Sequence, residues 1–231
     1  MEDKDLDKEK EKEEEEKIED IKNMGIPNIP DSKNNIQFIS IIGEIEGHSI
    51  ASNDKKATKY EHIIPILIAS QQDPKIEGVF IILNTVGGDV EAGLALSELI
   101  NSVDKPKISL VLGGGHSIGV PLATSTDYSF IVPTATMTIH PIRTTGLVIG
   151  VPQTFRYFEK MQQRIINFIL RTSNIDEKTL KKLMYSTDEI ANDVGTILVG
   201  EEAVQYGLIN EVGGFSKALK KLYEMIDVKN E

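Results

Sequence analysis

Beyond residue 35 the apolar positions of the chain alternate between two periods. Short, nearly unbroken apolar runs at 37–42 (QFISII), 79–83 (VFIIL) and 108–112 (ISLVL) have the length and β-branched content of buried strands. Between them lie stretches with helical spacing. Residues 62–70 (HIIPILIAS) repeat their apolar side chains every three or four positions, with Pro65 tolerable only in a first turn. Residues 90–101 (VEAGLALSELIN) turn their alanines and leucines to one side. Further on, the pattern predicts a helix from about 117 to 125 and short strands at 128–132 and 136–140. It then predicts a long helix over 152–171, a second beginning near Glu177 and a third over 201–206. Strand–helix–strand repetition demands right-handed crossovers, so the expected class is α/β with a largely parallel sheet.

The first 34 residues follow neither period. Residues 2–22 hold twelve acidic residues and six lysines, a balance of −6 out of −11 for the whole chain. Such a stretch has too little apolar surface to offset its ordering entropy, although Glu/Lys pairs four apart could support a solvated helix. Pro27, Pro30 and the Ser-Lys-Asn-Asn run read as a linker. The expected organisation is therefore a disordered acidic tail and linker over 1–34 and one folded domain over 35–231.

The overall negative charge argues against a nucleic-acid partner, since no basic face is available to displace counterions from phosphates. Absence of cysteine excludes disulfides, thiolate metal sites and thiol nucleophiles, and suits a reducing cytoplasm, where the chain is expected. The N-terminus is too charged for a secretory signal. The most apolar stretch, 108–123, contains four glycines, a histidine and a proline. It is also shorter than the ~20 residues a spanning helix needs, so no membrane span is expected. Nothing calls for a metal or cofactor.

Candidate chemistry gathers in two strand-to-helix turns. In the first, 84–93 (NTVGGDVEAG), Gly87 and Gly88 let the chain fold sharply and leave main-chain amides open beside a helix N-terminus. Amides so placed can hold an oxyanion or a phosphate, and a tight turn would need no ligand at all. The second, 113–119 (GGGHSIG), contains the G-x-S-x-G pattern around Ser117, after an expected strand and before an expected helix. An N-cap serine would give the same placement, but not so many neighbouring glycines. A serine nucleophile needs a base. Of the four histidines, His48 lies in a polar loop and His62 in an apolar helix. His116 adjoins Ser117 and should point away from it. His140 ends a strand, where sites of parallel sheets assemble.

With these residues in view, the sequence resembles the Clp protease family, most closely its TepA-like, translocation-enhancing branch. The resemblance is carried by NTVGGDVEAG at 84–93, GHSIG at 115–119, MTIHP at 137–141 and EAVQYGL at 202–208, and it covers about residues 36–216. It implies a ClpP/crotonase-like superhelix of repeated β-β-α units with a protruding handle helix over about 152–171, through which subunit rings stack. It also implies a serine peptidase acting on peptides or unfolded proteins, linked to translocation or quality control and to the secretion machinery. Ser117 would be the nucleophile, His140 the base, and the Gly88 and Ile118 amides the oxyanion hole. The orienting aspartate is where the pattern departs. Direct overlay puts Ser186 at its place, leaving Asp188, which follows a threonine at a helix end, or alternatively Asp193. The segment before Gly43 has no match to the axial loops that engage Clp-type ATPases, which argues against dependence on such a partner. Rival expectations are an inactive scaffold of the same family, or a crotonase-type acyl-CoA enzyme, which would need acidic residues in the site. A serine–lysine dyad would need Lys105 or Lys107, both at the far end of their strand.

Overall fold

A computed structural model describes residues 35–49, 51–52, 54–143, 150–188 and 194–230. The acidic tail and linker over 1–34, and Asp193, lie outside these. The chain runs β1 (Ile36–Glu46), β2 (Ala57–Lys59), α1 (Tyr60–Gln72), β3 (Gly78–Gly88), α2 (Val90–Ser102), β4 (Lys107–Gly115) and α3 (Gly119–Thr124). It continues through β5 (Tyr128–Ile131), β6 (Thr136–Ile139), α4 (Val151–Thr172), α5 (Glu177–Met184), β7 (Thr196–Val199), α6 (Glu201–Gln205), β8 (Glu211–Val212) and α7 (Phe215–Asn230).

Parallel strands stand in the order β2-β1-β3-β4-β5-β8, and β6 branches off β4 to pair antiparallel with β7. The class is α/β with a mostly parallel sheet, as the alternating periods require. Both faces of the central strands are covered, which is why their sequences read as unbroken apolar runs. Ile39, Ile41, Ile81, Leu83 and Val111 belong to the larger core under the α1–α5 layer. Phe80, Ile108, Leu110 and Phe130 face α7 and pack on Ala218, Leu222 and Ile226. Each such side chain taken out of water contributes about 2 kcal/mol.

The structure adds elements absent from the sequence expectation. Strand β2 is three residues long and β8 two, too short for any period to register. Helix α7 did have a signal, since Phe215, Ala218, Leu222 and Ile226 recur at helical spacing. Pro65 sits in the second turn of α1 rather than the first, on an exposed face where water can take the carbonyl it leaves unpaired. In α4 the buried side chains run from Gln162 to Ile169, while Val151, Phe155 and Tyr157 of its first two turns stand exposed. That half of the helix carries no core contact of its own.

Candidate active site

The loop between β4 and α3 holds His116, Ser117 and Ile118. Ser117 has φ +56°, alone among the described non-glycine residues in being left-handed. A serine in that region is strained and persists only where its surroundings over-determine it. Here the His116 N–H donates to Thr85 O (3.1 Å) and the Ser117 N–H to Thr138 O (2.9 Å). The Gly119 N–H donates back to His116 O (2.8 Å) and the Val120 N–H to Ser117 O (3.0 Å). The turn is thus pinned to β3 on one side and β6 on the other.

The Gly87–Gly88 turn closes against it. Gly87 has φ +89°, and a Cβ there would lie 2.7 Å from the Ser117 Cβ. At Gly88 a Cβ would meet Ile45 O at 2.3 Å, so neither position has room for a side chain. The Asp89 N–H is donated to Ile45 O at 2.9 Å. By the alternation of a parallel ladder, the Gly88 N–H then faces away from β1. The Ile118 N–H takes no main-chain acceptor among the described residues. Asp89 caps α2 by accepting from the Ala92 N–H at 2.8 Å.

Ser117, Ile118, Gly88 and His140 line one cavity of about 160 Å³. Its remaining walls are mostly apolar, from Val90, Val120, Ile142, Ile165, Ile169 and Met184. Two larger depressions, of about 550 Å³ beside α7 and about 330 Å³ between α2 and α4, are lined mainly by surface charges and hold neither nucleophile nor base. No hydrogen bond joins Ser117 to His140 in this conformation. Such contacts are commonly long until substrate tightens them.

His140 is half-buried, and its Nδ1 lies 2.6 Å from Pro141 O. A carbonyl can only accept, so Nδ1 carries the proton and Nε2 keeps its lone pair, the tautomer a general base requires. Burial holds the imidazole below its ordinary pKa; the hydrogen bond to Pro141 opposes this, and the charge of Arg143 adds to it. His116 is also held low, by burial first and then by the charge of His140.

Asp188 is exposed, its N–H donating to Ser186 Oγ at 3.3 Å, and it does not line the cavity. Among the described residues beyond Asp188, the chain meets His140 at Gly195. That residue donates to Ser186 O (2.8 Å), and a Cβ on it would lie 2.8 Å from the His140 Cβ. The serine–lysine alternative fails on distance along the strand. Lys107 is buried at the opposite end of β4, bonded to Asp127 Oδ1 (2.7 Å) and Val103 O (2.8 Å).

Two supporting residues escaped sequence reasoning. Gln162, buried in α4, accepts from the Ile142 N–H at 2.8 Å and donates to Met184 Sδ at 3.0 Å. It ties the segment after His140 to two helices. A polar residue on the apolar stripe of an amphipathic helix was the available signal. The other is Thr138, whose Oγ1 lies 2.8 Å from His116 Nδ1. Nothing in an isolated strand pattern points to that pairing.

A family model of Clp proteases matches residues 35–215. The chain is 56% identical over 211 residues to the translocation-enhancing protein TepA of Halalkalibacterium halodurans, covering 91% of this chain and 82% of that one. It is 27% identical over 169 residues to the ATP-dependent Clp protease proteolytic subunit 2 of Tropheryma whipplei, covering 70% of this chain and 86% of the relative. With the ATP-dependent Clp protease proteolytic subunit of Streptococcus sanguinis the identity is 29% over 156 residues, covering 65% of this chain and 75% of the relative. Among the described residues no helix is long and apolar enough to cross a membrane.

Proposed function

The chain belongs to the Clp protease family, and on that premise we propose that it is a serine peptidase in which Ser117 is the nucleophile and His140 the general base. One observation carries this. A left-handed serine on a strand–helix turn shares a small apolar cavity with an imidazole whose Nδ1 is already committed to a carbonyl. In the reaction, Ser117 Oγ attacks the scissile carbonyl and its proton passes to His140 Nε2. The resulting oxyanion is met by the Gly88 and Ile118 N–H groups, worth a few kcal/mol in a dry site. Collapse breaks the C–N bond, and the imidazolium returns the proton to the leaving amine. Water, activated by the same imidazole, then hydrolyses the acyl-serine.

In this conformation the group that fixes the imidazole is Pro141 O. A carbonyl orients the ring as a carboxylate does, but it stabilises the imidazolium less, because it has no net charge. We assign it that role, with Asp188 or Asp193 as the alternative orienting groups. The walls, apolar apart from Arg143, suit an uncharged side chain next to the cleaved bond. No carboxylate lines the cavity among the described residues, which disfavours an acyl-CoA hydratase or isomerase.

A second reading has its own support. Among the described residues no carboxylate bonds to His140, and together with a 56% identical relative named for enhancing translocation this favours a slow or inactive family member acting as an accessory in protein translocation. Clp proteases assemble into rings, and the exposed Val151, Phe155 and Tyr157 of α4 offer an apolar surface for such self-association. The deciding experiment is labelling with a fluorophosphonate. The full chain is expected to react at Ser117, located by mass spectrometry, and Ser117→Ala and His140→Ala to give no adduct. An unlabelled native chain would leave the accessory role.

A further inference from the structure

Resting on Ser117 and His140 as nucleophile and base, we infer that His116 is a positioning residue: with Thr138 it clamps the nucleophile turn to the strand that leads into the base. The imidazole of His116 does not swing out to solvent. It folds back over Gly114, where an added Cβ would lie 2.7 Å from Nε2, and its Nδ1 meets Thr138 Oγ1 at 2.8 Å. Thr138 holds the turn twice, because its carbonyl also accepts the Ser117 N–H at 2.9 Å. Two residues later the same strand delivers His140.

Ser117 needs this restraint. Its left-handed backbone relaxes unless held, and a shift of its Oγ by a fraction of an ångström changes the line of attack. The hydrogen bonds of Ser117 and its neighbours 119 and 120 run main chain to main chain, and the Gly114 N–H donates to Asn84 Oδ1 at 2.9 Å; the His116–Thr138 bond joins the turn to β6 through two side chains. It is half-buried, where a hydrogen bond competes less with water. Gly114 is thereby explained as well, since any larger residue would occupy the space of the ring.

Substitution of either partner tests the clamp, with fluorophosphonate labelling resolved into kinact and KI and with hydrogen exchange at the Ser117 amide. His116→Ala and Thr138→Val are each expected to lower kinact about tenfold, KI staying within about twofold, because an orienting contact acts on the step and not on capture. His116→Asn, whose amide falls at the place of Nδ1, and Thr138→Ser should restore most of the rate. The double variant His116→Ala/Thr138→Val should be no slower than either single one, as members of one pair are not additive. Exchange of the Ser117 amide should quicken in both disruptive variants. Native kinact in His116→Ala, or losses that multiply in the double variant, would overturn the clamp. If the unsubstituted chain does not label, the peptidase reading falls separately, and exchange alone decides: a quickened Ser117 amide upholds the clamp and an unchanged one refutes it.

Discussion

Ser117 is held by hydrogen bonds that never leave β3, β6 and its own turn, whereas the segment that carries His140 is held by groups arriving from α4, α5 and the stretch around Gly195. The first half of the site comes with the sheet. Once β3, β4 and β6 are in register, the Thr85 and Thr138 carbonyls stand where the turn requires them. The second half waits on packing between distant segments, since Gln162 must reach both Ile142 and Met184. The proposed nucleophile should therefore tolerate changes in the helices, and the proposed base should feel them.

The largest effect short of removing a reacting group is expected at Gly88→Ala. Its Cβ would collide with Ile45 O and displace a proposed oxyanion donor. Labelling should fall about 10²–10³-fold. A native rate there would remove Gly88 from the oxyanion hole.

Next comes pH. The proposed base would work as neutral imidazole, and the His140 pKa lies below the ordinary 6.5, chiefly through burial. Labelling should thus hold steady as pH falls to 6.5, then drop about tenfold per unit below the folded pKa. Stability moves the same way. As pH falls through 6.5 the unfolded chain takes up the proton before the native one, so the native state loses ground. An acidic limb centred above 6.5 would contradict the buried neutral ring.

Gln162→Leu should act on the base alone. It leaves the Ile142 N–H without its acceptor, which costs about 1–3 kcal/mol in a denaturant melt. A loss in labelling of about tenfold is expected through misplacement of His140. The Ser117 amide should meanwhile exchange at its native rate; equal disturbance of both halves would break the distinction between them.

Asp188→Asn should change labelling by less than about threefold, because Pro141 O already orients the ring and Asp188 is exposed. A fall of about 10⁴-fold would instead give that carboxylate the orienting role. The smallest effect is predicted for Arg171→Met, outside both halves. Its partner Glu98 and the guanidinium are more than half exposed, so stability should move by at most about 1 kcal/mol and labelling not at all.

How much of this was legible beforehand follows the same division. Strands β3 and β4, the two glycine turns, Ser117 and His140 lie in stretches whose period and glycine content are local properties of the chain. Short-range sterics shape them: short apolar runs rich in β-branched residues favour buried strands, and glycines mark where the backbone must pass close. The acceptor of His140 Nδ1, the pairing of His116 with Thr138 and the reach of Gln162 to Ile142 join residues up to 22 apart or depend on a single rotamer. No period records such contacts. They follow from how β4 meets β6 and how α4 crosses the end of the sheet, which packing settles only after every element has formed.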